Sequence, residues 1–199
     1  MTEPAPPRQR IILATLACLE RDGMDGLTVR AIAREAGVNV AAVNYYFGSK
    51  DQLVQLVLQQ TLQHGFWESL DELKEEIAQR DGDIREGLRV FLEEYVGNMV
   101  NWPRLAAAQF HDAFTRQDYS GDAVANVNAF LGAFLEVVRP ALPAGTEDEL
   151  KASVQQFWST LFLLALFPPC LEPFSGLDMS VEEHRRVYVG RLLQHFFPA

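Results

Sequence analysis

Between positions 28 and 50 lie side chains suited to touching a nucleic acid. Asn39 and Asn44 carry the amide that pairs with adenine through two hydrogen bonds, and Val40, Ala41 and Ala42 are small apolar groups that can meet a thymine methyl. Thr28 stands where a helix N-terminus suits a phosphate. Arg30, Tyr45, Tyr46 and Lys50 supply the charged and hydroxyl groups that clamp a phosphate backbone. Other chemistry finds less support. His64, His111, His184 and His195 lack the spacing of a HExxH zinc site, and Asp112 beside His111 has no third ligand in view. Cys18 and Cys170 give neither a disulfide framework nor a metal pair. Glu75-Glu76 and Glu93-Glu94 sit on ordinary helix faces, and no nucleophile elbow or glycine-rich phosphate loop appears. The expectation is a protein that is not an enzyme and needs no metal or cofactor.

Reading a duplex requires a short helix held at a steep angle, and the sequence supplies one. Thr28 can cap a helix through TVRAIAREAG, whose apolar side is Val29, Ile32, Ala33 and Ala36. Gly37 permits a tight turn. Asn39 can cap a second short helix, NVAAVNYYF, ending near Phe47. Val38 and Val43 would plug the crossing and Ala33 would let it come close. A preceding helix, Arg8 to Arg21, and a following one capped by Ser49 would cover the back. This is the pattern of a helix-turn-helix, with the second helix in the major groove.

Charge is unevenly spread. The 199-residue chain has a net charge of −10. Residues 1–50 hold six basic residues against five acids, and the remainder holds eleven against twenty-two. A near-neutral head can approach phosphates while an acidic body points away. With 48% hydrophobic residues the chain can build a real core. The N-terminus has no secretion pattern, and the apolar stretch from Phe157 to Phe167 is too short to cross a bilayer, so a cytoplasmic protein without a membrane span is expected.

The run LTVRAIAREAGVNVAAVNYYFGSKDQLV resembles the DNA-binding head of the TetR family of transcriptional regulators. Thr28, Ile32, Ala33, Ala36, Gly37, Val38, Tyr45, Phe47, Lys50 and Leu53 fall on the family pattern, and the likeness covers about residues 8–60. Ala42 and Asn44 depart from it, because many members carry Thr or Ser at the first position and Tyr at the second. A weaker similarity runs to fatty-acid-responsive members. The resemblance implies an all-α fold of about nine helices, with a three-helix head and a larger helical ligand-binding and dimerisation domain. It implies a homodimer on a palindromic DNA operator, a small-molecule effector that releases it, and most often repression. The domains expected are a disordered arm over 1–7, the head over 8–50, and the effector and dimerisation domain over 51–199. The competing reading is a helical protein-interaction module without specific DNA binding.

Beyond residue 60 the helical pattern continues. A fourth helix runs, bent, to about Gln79. Ile84 to Met99 is amphipathic. Pro103 opens a short helix to Phe110, Gly121 precedes one to Arg139, and Thr146 with Glu149 has capping-box spacing before a helix that Pro168-Pro169 stops. Residues 173–178 read as loop, and Ser180 with Glu183 has capping-box spacing before the last helix. Large apolar residues gather in the middle segment. Phe91, Tyr95, Met99, Trp102, Phe110, Phe130 and Phe134, with Asn98 and Gln109 as polar anchors, are the expected lining for an apolar or amphipathic effector; the alternative is simple packing. The helix after Thr146 is apolar around much of its girth. Val154, Phe157, Trp158 and Leu161, with Tyr188, Leu192 and Phe196 of the last helix, are the expected dimer interface. Their alternative role is to fill the core of a single chain.

Overall fold

A computed structural model describes residues 5–198. Every regular element among them is helical. The helices are α1 (Pro7–Gly26), α2 (Val29–Glu35), α3 (Val40–Phe47), α4 (Lys50–Leu62), α5 (Ser69–Ala78), α6 (Ile84–Met99), α7 (Pro103–Gln109), α8 (His111–Arg116), α9 (Asp122–Val138), α10 (Glu147–Leu166), α11 (Glu172–Ser175) and α12 (Glu182–Phe196). A π-turn, Gln63–Glu68, joins α4 to α5, and a 3₁₀ turn, Arg139–Ala141, follows α9. The all-α expectation holds. The extra elements are short: α8 is six residues long and α11 four, the latter overlapping the stretch read as loop. Of the expected arm, residues 1–4 lie outside the described residues, and α1 already begins at Pro7.

The chain forms two compact units, residues 1–63 with 104–123, and residues 64–103 with 124–199. The first has an aliphatic core: Ile11, Ala14, Cys18 and Leu19 of α1, Ile32 and Ala33 of α2 with Ala36 at its C-cap, Val43 of α3, and Leu53, Val54 and Val57 of α4. The α4 residues are integral to that core, so the compact unit extends beyond the head boundary at residue 50. Side chains supply the helix starts. Thr28 accepts from the Ala31 N–H at 3.1 Å, Asn39 from Ala42 at 2.8 Å and Ser49 from Gln52 at 3.2 Å. Glu20 of α1 accepts from the Leu105 N–H at 2.9 Å, and Gln109 donates to Thr61 Oγ1 at 2.6 Å. These two bonds moor α7 to α1 and α4.

In the second unit α5 packs along α6, and α6 packs on α10 and α12. Gly87 sets the first crossing, since a Cβ there would lie 2.9 Å from the Ile77 Cα. Arg185 ties α12 to α6 by donating from Nε to the Glu93 carbonyl at 2.9 Å. Thr146 and Glu149 form a reciprocal capping box at the start of α10. The box expected at Ser180 does not form. Val181 occupies the N-cap of α12 with no side-chain bond, because Ser180 is engaged by Asp178, whose carboxylate accepts its N–H at 2.8 Å.

Candidate nucleic-acid interface

The turn between α2 and α3 depends on Gly37, whose φ of 63° is a left-handed value that a side chain disfavours. It lets α3 cross with Val43 only 1% exposed while the opposite side of the helix stays open. That side carries Asn39, Val40, Ala41, Asn44, Tyr45 and Tyr46, all exposed, with Ala42 half-buried beside them. Tyr45 is 84% exposed and meets Tyr46 edge to face at 5.2 Å. An aromatic ring left so open contributes little to folding and is free to meet a partner.

The candidate residues are not equally available. Asn39 spends its side-chain carbonyl on the Ala42 N–H, which leaves its amide donors outward. Asn44 makes no such cap and offers donor and acceptor together, the pair needed for adenine. Thr28 is exposed, with its hydroxyl oxygen accepting from Ala31. Arg30 is exposed on α2. Lys50 is half-buried, and its ammonium donates to the Leu27 carbonyl at 3.3 Å. That bond stitches the start of α4 to the loop before α2 and leaves further donors on the same nitrogen.

Two residues outside the sequence-derived set come into view. The Arg8 guanidinium lies 5.5 Å from the centre of the Phe47 ring, beside the end of α3. Arg10 reaches the α2–α3 turn, its Nη1 3.6 Å from where a Cβ on Gly37 would stand. Both are visible in the sequence as basic residues, but only folding brings α1 beside α3. Arg21, by contrast, is committed to structure through Glu35 at 2.8 Å and Asp22 at 2.9 Å, and its hydrogen bond at 3.3 Å reaches the Cys18 sulfur. Burial pushes the Cys18 thiol pKa up.

The residues expected to line an effector site divide. Phe91, Tyr95, Phe130 and Phe134 join Phe157 and Trp158 in one aromatic cluster of the second unit. Met99 is half-buried, and Asn98 and Trp102 are exposed. Gln109 and Phe110 belong to the first unit. The second unit also contains a cavity of about 280 Å³, lined by Asp83, Arg85, Glu86, Arg89, Gly190 and Leu193. Its polar wall differs from the aromatic lining expected.

Most of the expected dimer residues lie inside the chain. Val154, Phe157, Trp158, Leu161 and Leu192 are buried within the chain, while Tyr188 and Phe196 are half-buried. Packing in the chain's own core accounts for them, and the buried five have almost no surface left for a second copy. The exposed apolar residues nearby are Leu163, Phe167, Leu171, Phe174, Val181 and Val187. Among the described residues there is no group of three or more His, Cys, Asp and Glu side chains that could hold a metal ion, and no helix long and apolar enough to cross a membrane.

With this geometry in hand, comparison with known proteins is informative. Residues 11–57 match the family described as "Bacterial regulatory proteins, tetR family". The HTH-type transcriptional regulator BetI 2 of Chromohalobacter salexigens is 42% identical over 55 residues, 28% of this chain and 27% of that protein. The HTH-type transcriptional regulator BetI of Stenotrophomonas maltophilia is 33% identical over 115 residues, 52% of this chain and 55% of the other. The HTH-type nicotine-responsive transcriptional repressor HdnoR of Paenarthrobacter nicotinovorans is 39% identical over 56 residues, 28% of this chain and 29% of that one. The chain thus spans between about a quarter and about half of these relatives' lengths. In fold, a TetR family transcription regulator from Marinobacter aquaeolei VT8 superposes with a TM-score of 0.66 at 18% identity, covering 96% of this chain and 95% of the other.

Proposed function

We propose, from the match of residues 11–57 to the tetR family of bacterial regulatory proteins, that the chain is a DNA-binding repressor released by a small apolar or amphipathic effector. The observation that supports this most is the disposition of α3. Val43, with the half-buried Phe47 at the helix end, seats it, and its other side is turned out with Asn44, Tyr45 and Tyr46 on it. Val40, Ala41, Ala42 and Asn44 would meet base edges, with Asn44 as the adenine reader. Thr28, Arg30, Tyr45, Tyr46 and Lys50, joined by Arg8 and Arg10, would hold the phosphates. Asn39 would contribute its amide donors while capping the helix.

The protein would act as a homodimer on a palindromic operator, with reading helices about 34–36 Å apart. Since the buried faces of α10 and α12 are spent, the mate would meet their exposed sides, around Leu163 and Val187. The effector would enter the second unit. It must bind the DNA-incompetent state more tightly, because equal affinity for both states shifts nothing. Support for a small apolar ligand comes from the aromatic composition of that unit and from the nicotine-responsive relative.

The test is selection of duplexes from a random library by the purified protein, followed by anisotropy titrations at several salt concentrations. The expected result is a palindromic site whose affinity falls steeply with salt, as several phosphate contacts require. Failure to enrich any duplex, with no salt-dependent binding, would favour the protein-interaction module.

A further inference from the structure

At the centre of the second unit's aromatic cluster stands Trp158, 1% exposed. Phe130, Phe134 and Tyr95 meet it edge to face at 4.8, 5.2 and 5.6 Å. Its indole Nε1 is buried with no hydrogen-bond partner among the described residues. A tryptophan sunk in a core ordinarily finds an acceptor for that N–H, because the donor has been stripped of water. Here the surrounding rings offer only their π-faces, which are weak acceptors.

The second polar group of the cluster is also loosely held. The Tyr95 hydroxyl donates to the Gly65 carbonyl at 3.4 Å, a long bond. Gly65 lies in the π-turn, Gln63–Glu68, a backbone form that recurs at functional sites. Tyr95 is half-buried, whereas Phe130, Phe134, Phe157 and Trp158 are all but sealed. Phe162, which meets Trp158 at 6.0 Å, is half-buried too, but of these two rings Tyr95 carries the loosely held polar group, so it is the one that can swing aside for a guest.

We propose that Trp158 anchors the effector in this cluster, and that the effector is a neutral aromatic molecule carrying a hydrogen-bond acceptor. The proposal rests on the effector reading above and deepens it. The acceptor, a carbonyl, ether or ring-nitrogen lone pair, takes the Trp158 N–H. The guest's ring replaces Tyr95 against Phe91 and Trp158. The tyrosine, turned outward, exchanges its long bond to Gly65 for water or for a second contact with the guest. The rings of the cluster carry no charge to neutralise an anion. A quaternary ammonium would be drawn to the ring faces but would leave the indole N–H unsatisfied and facing a like partial charge.

The experiment uses the full ¹⁵N-labelled chain and a matched pair of probes, 1-indanone, which has a carbonyl, and indane, which lacks it. The three tryptophans Trp67, Trp102 and Trp158 give three indole N–H resonances, and Trp158→Phe identifies the third. Saturable movement of the Trp158 resonance by 1-indanone is expected, with indane binding about tenfold more weakly, the worth of one buried hydrogen bond. In Trp158→Phe the two probes should bind alike. The wild-type resonance serves as a readout even if that variant folds poorly. The proposal is overturned if both probes bind and leave the Trp158 signal unmoved, if tetramethylammonium moves it and 1-indanone does not, or if neither probe binds. The effector reading is judged separately, by screening other small molecules for release of the protein from its selected operator.

Discussion

The head and the second unit place their candidate working residues in opposite environments. In the head, α3 turns Asn44, Tyr45 and Tyr46 to solvent and is seated by Val43. In the second unit, Phe130, Phe134 and Trp158 form the core itself. The consequence is a difference in how function and stability are coupled. A surface that reads a partner can change without loosening the fold. A ligand site built from core rings cannot, because every change in the site is also a change in packing.

Substitutions graded by their effect on folding probe that difference. The largest effect is expected from Phe130→Ala, which empties the middle of the aromatic cluster and should cost about 3–5 kcal/mol in urea unfolding; a loss under about 1 kcal/mol would mean that the rings are loosely packed. Next comes Gly37→Ala. A Cβ meets only ordinary contact there, so the penalty is that of the left-handed backbone, about 1–2 kcal/mol, and operator affinity should fall with it. Asn39→Ala removes the α3 cap and should cost about 1 kcal/mol, whereas Asn39→Ser should restore most of the stability without restoring base reading. Tyr45→Ala should move stability by less than about 0.5 kcal/mol yet weaken operator binding, with the salt slope unchanged because the phenol carries no charge to release a counterion. Unchanged affinity would remove Tyr45 from the interface. The smallest effect concerns pH. Hydrogen bonds from the Thr146 backbone N–H and hydroxyl hold the Glu149 pKa below its ordinary value of 4.5. The stability this adds is present above pH 4.5 and is lost as pH falls through the lower folded value. Glu149→Gln, which keeps the capping geometry, should flatten the acid limb of a plot of Tm against pH.

Much of the head was legible because its signals are local. Thr28, Asn39 and Ser49 each cap the helix that follows, and Gly37 marks the turn, so each boundary can be read within four residues. Helix α6 was legible for the same reason, bounded by Asp83 and an amphipathic run. What resisted reading was non-local. The apolar girth of α10 announces burial but not against what; within one chain Phe157 and Trp158 of that helix meet Phe130, Phe134 and Phe197. Arg8 and Arg10 carry no spacing signal, because their nearness to Phe47 and Gly37 crosses nearly thirty residues or more of chain. The failure at Ser180 shows a competing local motif prevailing, since Asp178 captured it before it could serve α12.

The crossing of α5 and α6 has a consequence for how this sequence can vary. With the Ile77 backbone where a side chain on residue 87 would have to grow, the two helices can stay together only while that position has no Cβ. Truncating Ile77 would not help, because the obstruction includes main chain that every residue shares. In a library of all single substitutions, position 87 should therefore tolerate one amino acid alone, while its exposed neighbours on α5 and α6 accept many. Any descendant that lost this glycine would first have to move a whole helix.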